Sequence, residues 1–294
     1  MSNKFYIIAN PLAGKKSAPT LAVQVLEALK SNGAVAELVL TASRQKTTEL
    51  IGQIESPDNV IVACGGDGTI QDVVNGLKTP DTILGVIPGG RCNDFARAIG
   101  VYGIDDADMY AKILLNGKTK NFDYGIINGR KFLTVATFGF DSEVSRFVES
   151  HKLILKGTSA YLYGVFRILF DYQFARIKLS GDFGAVEDKV LLVATANTPF
   201  YGGAMKIAPS ATPDDGCFDV CMVKEVSKFT VLRMLLRVFK GTHITHPAVR
   251  IFKTRELKIE TPYANHWICA DGESIARTPC IVKIQPGALK VIVP

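Results

Sequence analysis

Five consecutive residues, Gly65-Gly66-Asp67-Gly68-Thr69, combine what a phosphate site needs. Glycines let backbone N–H groups approach an anion closely, and a helix N-terminus adds its positive dipole end. The β-branched run Asn59–Cys64 leads straight into this turn and Ile70–Leu77 reads as a helix after it. Asp67 lies within the turn, where a carboxylate can hold Mg²⁺ directly or through water. Thr69 can cap the helix or bind a phosphate oxygen. A plain strand-to-helix turn with Asp67 in a left-handed position fits the same spacing.

Three further stretches carry candidate chemistry. In Pro88-Gly89-Gly90-Arg91-Cys92-Asn93-Asp94, Arg91 and Asn93 can reach phosphate or ribose and Asp94 a metal; Asn93 or Asp94 can equally be a helix N-cap. Asn10-Pro11-Leu12-Ala13-Gly14-Lys15-Lys16-Ser17 approaches a Walker A loop, but Ala9 stands at the first glycine position and Lys16 follows Gly-Lys. A P-loop NTPase is excluded, although the lysines and backbone amides still suit phosphate. Asp271-Gly272-Glu273 follows the strand Trp267–Ala270, and either carboxylate can serve as a general base. Asp-Gly is also a common hairpin turn. His243 and His246 have no partner at zinc-ligand spacing, so no metal is expected there.

These residues need a scaffold. Up to about Asp123, strands (Phe5–Ala9, Ala34–Leu40, Asn59–Cys64, Thr82–Ile87) alternate with helices (Leu21–Leu29, Thr47–Ile54, Ile70–Leu77, Asn93–Ile99). That alternation implies parallel βαβ units with ligands at the strand C-termini. Beyond it, short apolar stretches follow one another: Tyr124–Ile127, Lys131–Phe138, Arg176–Ser180, Lys189–Ala196, Cys217–Val223, Glu256–Glu260, Trp267–Ala270 and Cys280–Gln285. Such density suggests a β-sandwich. The expected organisation is α/β plus all-β: a nucleotide domain over residues 1–125, with residues 286–294 as a candidate completing strand, and a β-sandwich over residues 126–285. Two helices interrupt the second part, Ala160–Phe174 and Lys228–Lys240. On the latter, Arg233, Arg237 and Lys240 fall within about 60° of one another, with Phe229, Leu232, Leu236 and Phe239 forming an apolar face. This is either a surface helix packed on a sheet or an interfacial helix that meets anionic lipid.

Composition narrows the classes. The 294 residues are 47% hydrophobic and 21% charged, which is ordinary globular usage. A net charge of +6 suits a nucleotide, a phosphate or an anionic membrane, and lacks the dense basic blocks of a nucleic-acid binder. Six cysteines without a Cys-x-x-Cys pair or a secretory signal point to reduced thiols. No uncharged apolar run reaches the ~18 residues of a membrane span. A cytoplasmic, soluble protein with peripheral membrane contact is expected, and a homodimer is compatible with the chain.

Together these motifs resemble the diacylglycerol kinase catalytic-domain family, in particular its soluble bacterial lipid kinases related to sphingosine kinases. The resemblance runs over nearly the whole chain. It rests on Asn10-Pro11-x-x-Gly14, Gly65 through Thr69, Pro88 through Arg97, Gly139-Phe140-Asp141, Asp215-Gly216, Gly241-x-His243 and Asp271-Gly272-Glu273. It implies an N-terminal α/β domain like that of NAD kinases and phosphofructokinases, a C-terminal β-sandwich, and ATP and lipid meeting in a cleft. Carried over, the glycine loop (Gly65, Gly66, Gly68, Thr69) binds ATP phosphates and Asn10 lines the nucleotide site. Asp67, Asp94 and Asp123 match carboxylates that organise catalytic Mg²⁺ through water, and Glu273 matches the general base. Asp215, with the carbonyls of Thr212 and Cys217, matches a structural Mg²⁺ site. The family usually has Gly-Thr where this chain has Gly90-Arg91, and a guanidinium cannot copy a hydroxyl contact. The implied activity is ATP- and Mg²⁺-dependent phosphorylation of diacylglycerol to phosphatidic acid. The rivals are another lipid acceptor (a sphingoid base, ceramide, undecaprenol or a phosphatidylglycerol-type lipid), NAD kinase, and a regulator without catalysis.

Overall fold

β-Branched runs separated by amphipathic helices build the first part of the chain. The computed structural model describes residues 4–11, 17–104, 106–151, 155, 158–262 and 265–294. Strands β1 (Lys4–Ala9), β2 (Val35–Leu40), β3 (Asn59–Gly65) and β4 (Ile83–Pro88) are all parallel, in the order β2-β1-β3-β4. Helices α1 (Ser17–Ser31), α2 (Arg44–Ile54) and α3 (Asp67–Gly76) link them. Helices α4 (Asp94–Ala98) and α5 (Ala107–Asn116) follow β4. Ile7, Val62 and Cys64 on the sheet pack with Leu29, Tyr110 and Leu114 from the helices. Strand order reverses between β1 and β3, and a reversal opens a crevice at the carboxyl ends of the strands. Asn10 follows β1 there, Gly66 follows β3 and Gly89 follows β4.

The strands that follow pair antiparallel among themselves, and the last of them also reaches back to β4. In chain order come β5 (Lys118–Ile127), β6 (Arg130–Phe132), β7 (Val135–Gly139), α6 (Phe140–Ser150), α7 (Thr158–Leu169), β8 (Ala175–Gly181) and β9 (Gly184–Ala196). Then follow short β10 (Phe200–Tyr201) and β11 (Met205–Lys206), β12 (Phe218–Lys224), α8 (Lys228–Val238) and a 3₁₀ turn (Thr242–Thr245). The series ends with β13 (Val249–Thr254), β14 (Glu256–Glu260), β15 (Trp267–Ala270), β16 (Glu273–Arg277) and β17 (Cys280–Val293). Strand β9 changes partners along its length: residues 184–190 pair with β8, while 192–196 pair with β7 on one side and with β12 on the other. Both faces are buried over its second half, Val190 to Ala196. Val190 and Val193 join one core with Phe132, Phe138 and Phe218, and Leu191, Ala194 and Ala196 join a second with residues of α6, α7 and α8.

The chain divides into two units, Met1–Phe122 with Gly287–Pro294, and Asp123–Pro286. The last residues of β17 pair in parallel with β4, Lys290 opposite Ile83 and Val291 opposite Leu84. Several elements differ from the sequence reading. The expected strand Lys131–Phe138 is split at Leu133–Thr134, whose backbone N–H groups bond to Asp271 instead of a neighbouring strand. Helices α5 and α6 and strand β13 were not anticipated. On α8 the packed face is Val231, Met234 and Val238, while Phe229 and Leu236 stand 62% and 75% exposed.

Candidate active site

Two glycine turns in the first unit touch backbone to backbone. A Cβ on Gly90 would collide with Gly66 Cα and Asn93 Oδ1, and one on Gly65 would strike the Thr69 side chain. Gly89 N–H donates to Gly65 O at 2.7 Å. Gly90 is thus required by the close approach of the two loops, Gly65 by the Thr69 side chain of its own turn and Gly89 by Ala18 of α1. Gly68 is exposed with open space around it.

Asp67 is the pin between these turns. Its Oδ2 accepts the Asn93 N–H at 2.8 Å and its Oδ1 the Phe95 N–H at 3.4 Å. Asn93 takes a left-handed backbone (φ 53°), and its side chain clasps Gly90, accepting from Gly90 N–H and donating to Gly90 O, both at 3.0 Å. Thr69 is not the helix cap: α3 begins at Asp67 after Gly66, which places Thr69 inside the first turn. Asn93 is the cap of α4 by position, but its side chain makes no capping bond because it is turned to Gly90. Asp94 is 4% exposed. Arg91 is exposed and has no hydrogen-bond or ion-pair partner among the described residues. Gly14 lies outside the described residues. A cleft of about 640 Å³ opens beside these turns, lined among others by Thr20, Gln24, Gly89, Gly90, Asn93 and Tyr102. That size suits a nucleotide-scale ligand. Tyr102 stacks under the Arg97 guanidinium, 3.5 Å from its ring centroid. Neither Thr20, Gln24 nor Tyr102 stands in a recognisable motif.

The second unit holds the other predicted residues. Asp271 (φ 48°) and Gly272 (φ 82°) form the tight turn of the β15–β16 hairpin. Asp271 was a second candidate base. Its oxygens accept from Leu133 N–H (2.8 Å), Thr134 N–H (2.9 Å) and Thr134 Oγ1 (2.5 Å), which ties the hairpin to the turn between β6 and β7. Such commitment marks it as a structural anchor. Burial pushes its carboxyl above the ordinary range, and these three donors oppose the shift. Glu273, two residues on, is ion-paired with Arg130. Arg130 is 143 residues away in the chain, and nothing local in the sequence signals it.

Asp123 is 1% exposed and built into the same network. Its N–H donates to Pro213 O at 2.6 Å and its Oδ2 accepts the Gly216 N–H at 2.7 Å. Asn197, fully buried, donates through Nδ2 to both Asp123 O and Leu133 O at 2.9 Å. One amide therefore bridges the Asp123 strand and the turn that holds Asp271. Asp215 Oδ1 accepts the Cys217 N–H at 3.0 Å, and its Oδ2 is paired with Lys253. No group of three or more metal-ligating side chains occurs among the described residues.

An apolar cavity in this unit is lined by Phe140, Val165, Leu192, Met234 and Val238. Tyr161 and Tyr201 also line it, and both donate to Asp141, Tyr201 Oη at 3.1 Å. Burial raises the Asp141 carboxyl, with both tyrosine bonds acting the other way. Gly139 (φ 90°) permits the sharp entry into α6 that places Asp141. No helix among the described residues is long and apolar enough to cross a membrane, and all six cysteines are free.

A parallel α/β unit with apposed glycine turns at its strand ends, in one chain with a β-sandwich, is the architecture that the sequence resemblance implies, and its relatives make it that of an ATP-dependent lipid kinase. Residues 4–127 match the family model of the diacylglycerol kinase catalytic domain, and residues 134–293 match the YegS C-terminal NAD kinase beta sandwich-like domain. A diacylglycerol kinase of Mycobacterium tuberculosis is 30% identical over 99% of this chain and 95% of its own length. One from Bacillus subtilis is 29% identical over 86% and 84%. A solved Bacillus anthracis structure superposes with a TM-score of 0.81 at 25% identity, covering 100% of this chain and 97% of the other. Another, described as a diacylglycerol kinase from the same organism, gives 0.73 at 22% identity over the same shares. The chain belongs to the diacylglycerol kinase family.

Proposed function

We propose that the protein transfers the γ-phosphoryl group of ATP to the free hydroxyl of diacylglycerol, yielding phosphatidic acid and ADP. The observation that carries this reading is the Asp67 pin, which fixes two glycine turns face to face beside a nucleotide-sized cleft. Gly65, Gly66, Gly68, Thr69, Gly90 and Asn93 would cradle the phosphates, with Asn10 and Gly14 on the same nucleotide and Arg91 adding a charged fork. Mg²⁺ with the nucleotide would supply charge neutralisation, held through water by Asp67 and Asp94 of the first unit; the resemblance alone assigns Asp123 to the same role. An ionised carboxylate has about four acceptor sites, so a water-bridged ion fits Asp67 beside its backbone bonds. As the acceptor oxygen bonds to the γ-phosphorus and the bond to the ADP oxygen breaks, Glu273 takes the hydroxyl proton. Arg130 orients that carboxylate.

The lipid substrate implies contact with a membrane surface. Phe166, Phe170 and Phe229 are exposed by 55%, 61% and 62%, and Leu236 by 75%. Lys228 bonds to Phe170 O and lies over the Phe170 ring, and Arg233 stacks on Phe229. Exposed aromatics with adjacent cations suit an anionic lipid interface. Arg237, expected to join that basic face, instead donates to Thr242 O (2.6 Å) and Thr245 Oγ1 (2.7 Å).

The test is to incubate the pure protein with labelled ATP, Mg²⁺ and a lipid panel in mixed micelles, with NAD in parallel. Label in phosphatidic acid supports the proposal. Label confined to a phosphorylated sphingoid base, ceramide, undecaprenol, phosphatidylglycerol or NAD replaces it with that acceptor.

A further inference from the structure

The family resemblance implies a structural Mg²⁺ on Asp215 in the loop before β12. The side chains there are arranged otherwise. Lys253 lies directly opposite Asp219 across the β12–β13 pair. Its Nζ is 2.6 Å from Asp215 Oδ2 and 3.5 Å from Asp219 Oδ2. Asp219 is 1% exposed, and its Oδ1 accepts from Ser210 Oγ at 2.8 Å. Asp123, bonded to Gly216 N–H, brings a third carboxylate to the same loop. Buried carboxylates demand a compensating charge. Lys253 is the cation that meets both Asp215 and Asp219 among the described residues.

We propose that the Lys253 ammonium takes the place of a structural divalent cation, so that the Asp215 loop is held without metal. The Asp215 side chain, already paired with an ammonium, does not fit Mg²⁺, which takes near-octahedral oxygen ligands at about 2.0–2.1 Å. Asp215 offers one oxygen to a backbone N–H and the other to an ammonium that would repel a second cation. A lysine head is a compact point charge with three donors, enough to serve two carboxylates at once. The covalent tether of β13 delivers it to a fixed place, which a free ion reaches only by binding.

Thermal melting with Mg²⁺ and with EDTA, in the absence of nucleotide, tests this on the wild type, Asp215→Asn and Lys253→Met. The wild type and Asp215→Asn should respond to Mg²⁺ equally, within about 1 °C. Lys253→Met should melt about 3–8 °C below the wild type in EDTA, since it strands a buried carboxylate. A saturable Mg²⁺-dependent rise in the wild type that Asp215→Asn abolishes overturns the proposal, as does a Lys253→Met protein that melts like the wild type. If Lys253→Met does not fold, the comparison of wild type with Asp215→Asn decides alone.

Discussion

Asp67 Oδ2 accepts the Asn93 backbone N–H at 2.8 Å, so a carboxylate in one glycine turn caps the short helix that leaves the other. Local capping would need only Asn93, whose side chain is occupied by Gly90. The arrangement gives Asp67 two roles, one in holding the loops and one proposed in catalysis. Asp67→Ala should lower kcat by orders of magnitude and also cost about 1–2 kcal/mol of stability through the lost cap. Asp67→Asn keeps an amide oxygen for the cap, so urea denaturation should show most of the stability restored while kcat stays low. Recovery of kcat to within about threefold of wild type in Asp67→Asn would remove the charge from the mechanism.

Arg91 separates binding from folding. It is exposed and unpartnered among the described residues, so Arg91→Ala should leave the melting temperature unchanged. If the guanidinium meets phosphate, the same variant raises the KM for ATP more than that for lipid, and Arg91→Thr does so less. An unchanged ATP KM in steady-state assays would make the arginine part of the solvated surface.

The hairpin carboxylates should divide by function. Glu273→Gln removes basicity at constant size and is expected to lower kcat about 10²–10⁴-fold with ATP affinity kept. Asp271→Asn should chiefly lower stability, because an amide cannot accept all three donors from Leu133 and Thr134. Arg130→Met should reduce kcat more than either KM, by releasing Glu273. A dead, fully stable Asp271→Asn beside an active Glu273→Gln would reverse the assignment.

His243 gives stability a pH dependence. It is 2% exposed, its Nε2 lies 3.0 Å from Ile207 O and its Nδ1 is without a partner among the described residues. Burial, helped by Arg237, holds the imidazole below the usual 6.5, against the opposing bond to Ile207. The unfolded chain thus takes up a proton near pH 6.5 that the folded chain takes only at lower pH. Unfolding free energy should be level above that value and fall as pH drops from it toward the folded pKa. His243→Gln should flatten this slope in denaturant titrations between about pH 5 and 7; an unaltered slope would place its origin elsewhere.

Vesicle binding should follow the exposed aromatics and their cations. Phe170→Asp with Phe229→Asp is expected to abolish sedimentation with anionic vesicles. Lys228→Glu with Arg233→Glu should weaken it by ~1 kcal/mol per charge at low salt. Binding that ignores both pairs and the salt concentration would discard the surface.

Sequence legibility followed the backbone. Gly65, Gly89 and Gly90 were readable because a Cβ at each would meet a close neighbour (Thr69, Ala18 and Gly66 respectively), and Asp271-Gly272 because two positive φ angles favour that dipeptide. Arg130 and Asn197 were not, since each acts on residues more than 60 positions away and stands in no local pattern. Helix α6 was hidden by its polar first turn, Asp141 to Glu143, entered through a single glycine. The α8 stripe was readable but its surroundings were not, because periodicity locates an apolar stripe without saying whether protein or solvent faces it.

The first unit is assembled from both ends of the sequence, with residues 123–286 inserted between. During synthesis, β4 must wait for the partner that β17 supplies at Lys290 and Val291. Some 160 residues of sandwich emerge before that edge is covered. The nascent nucleotide unit therefore carries an unpaired strand edge through most of translation, a template for mispairing.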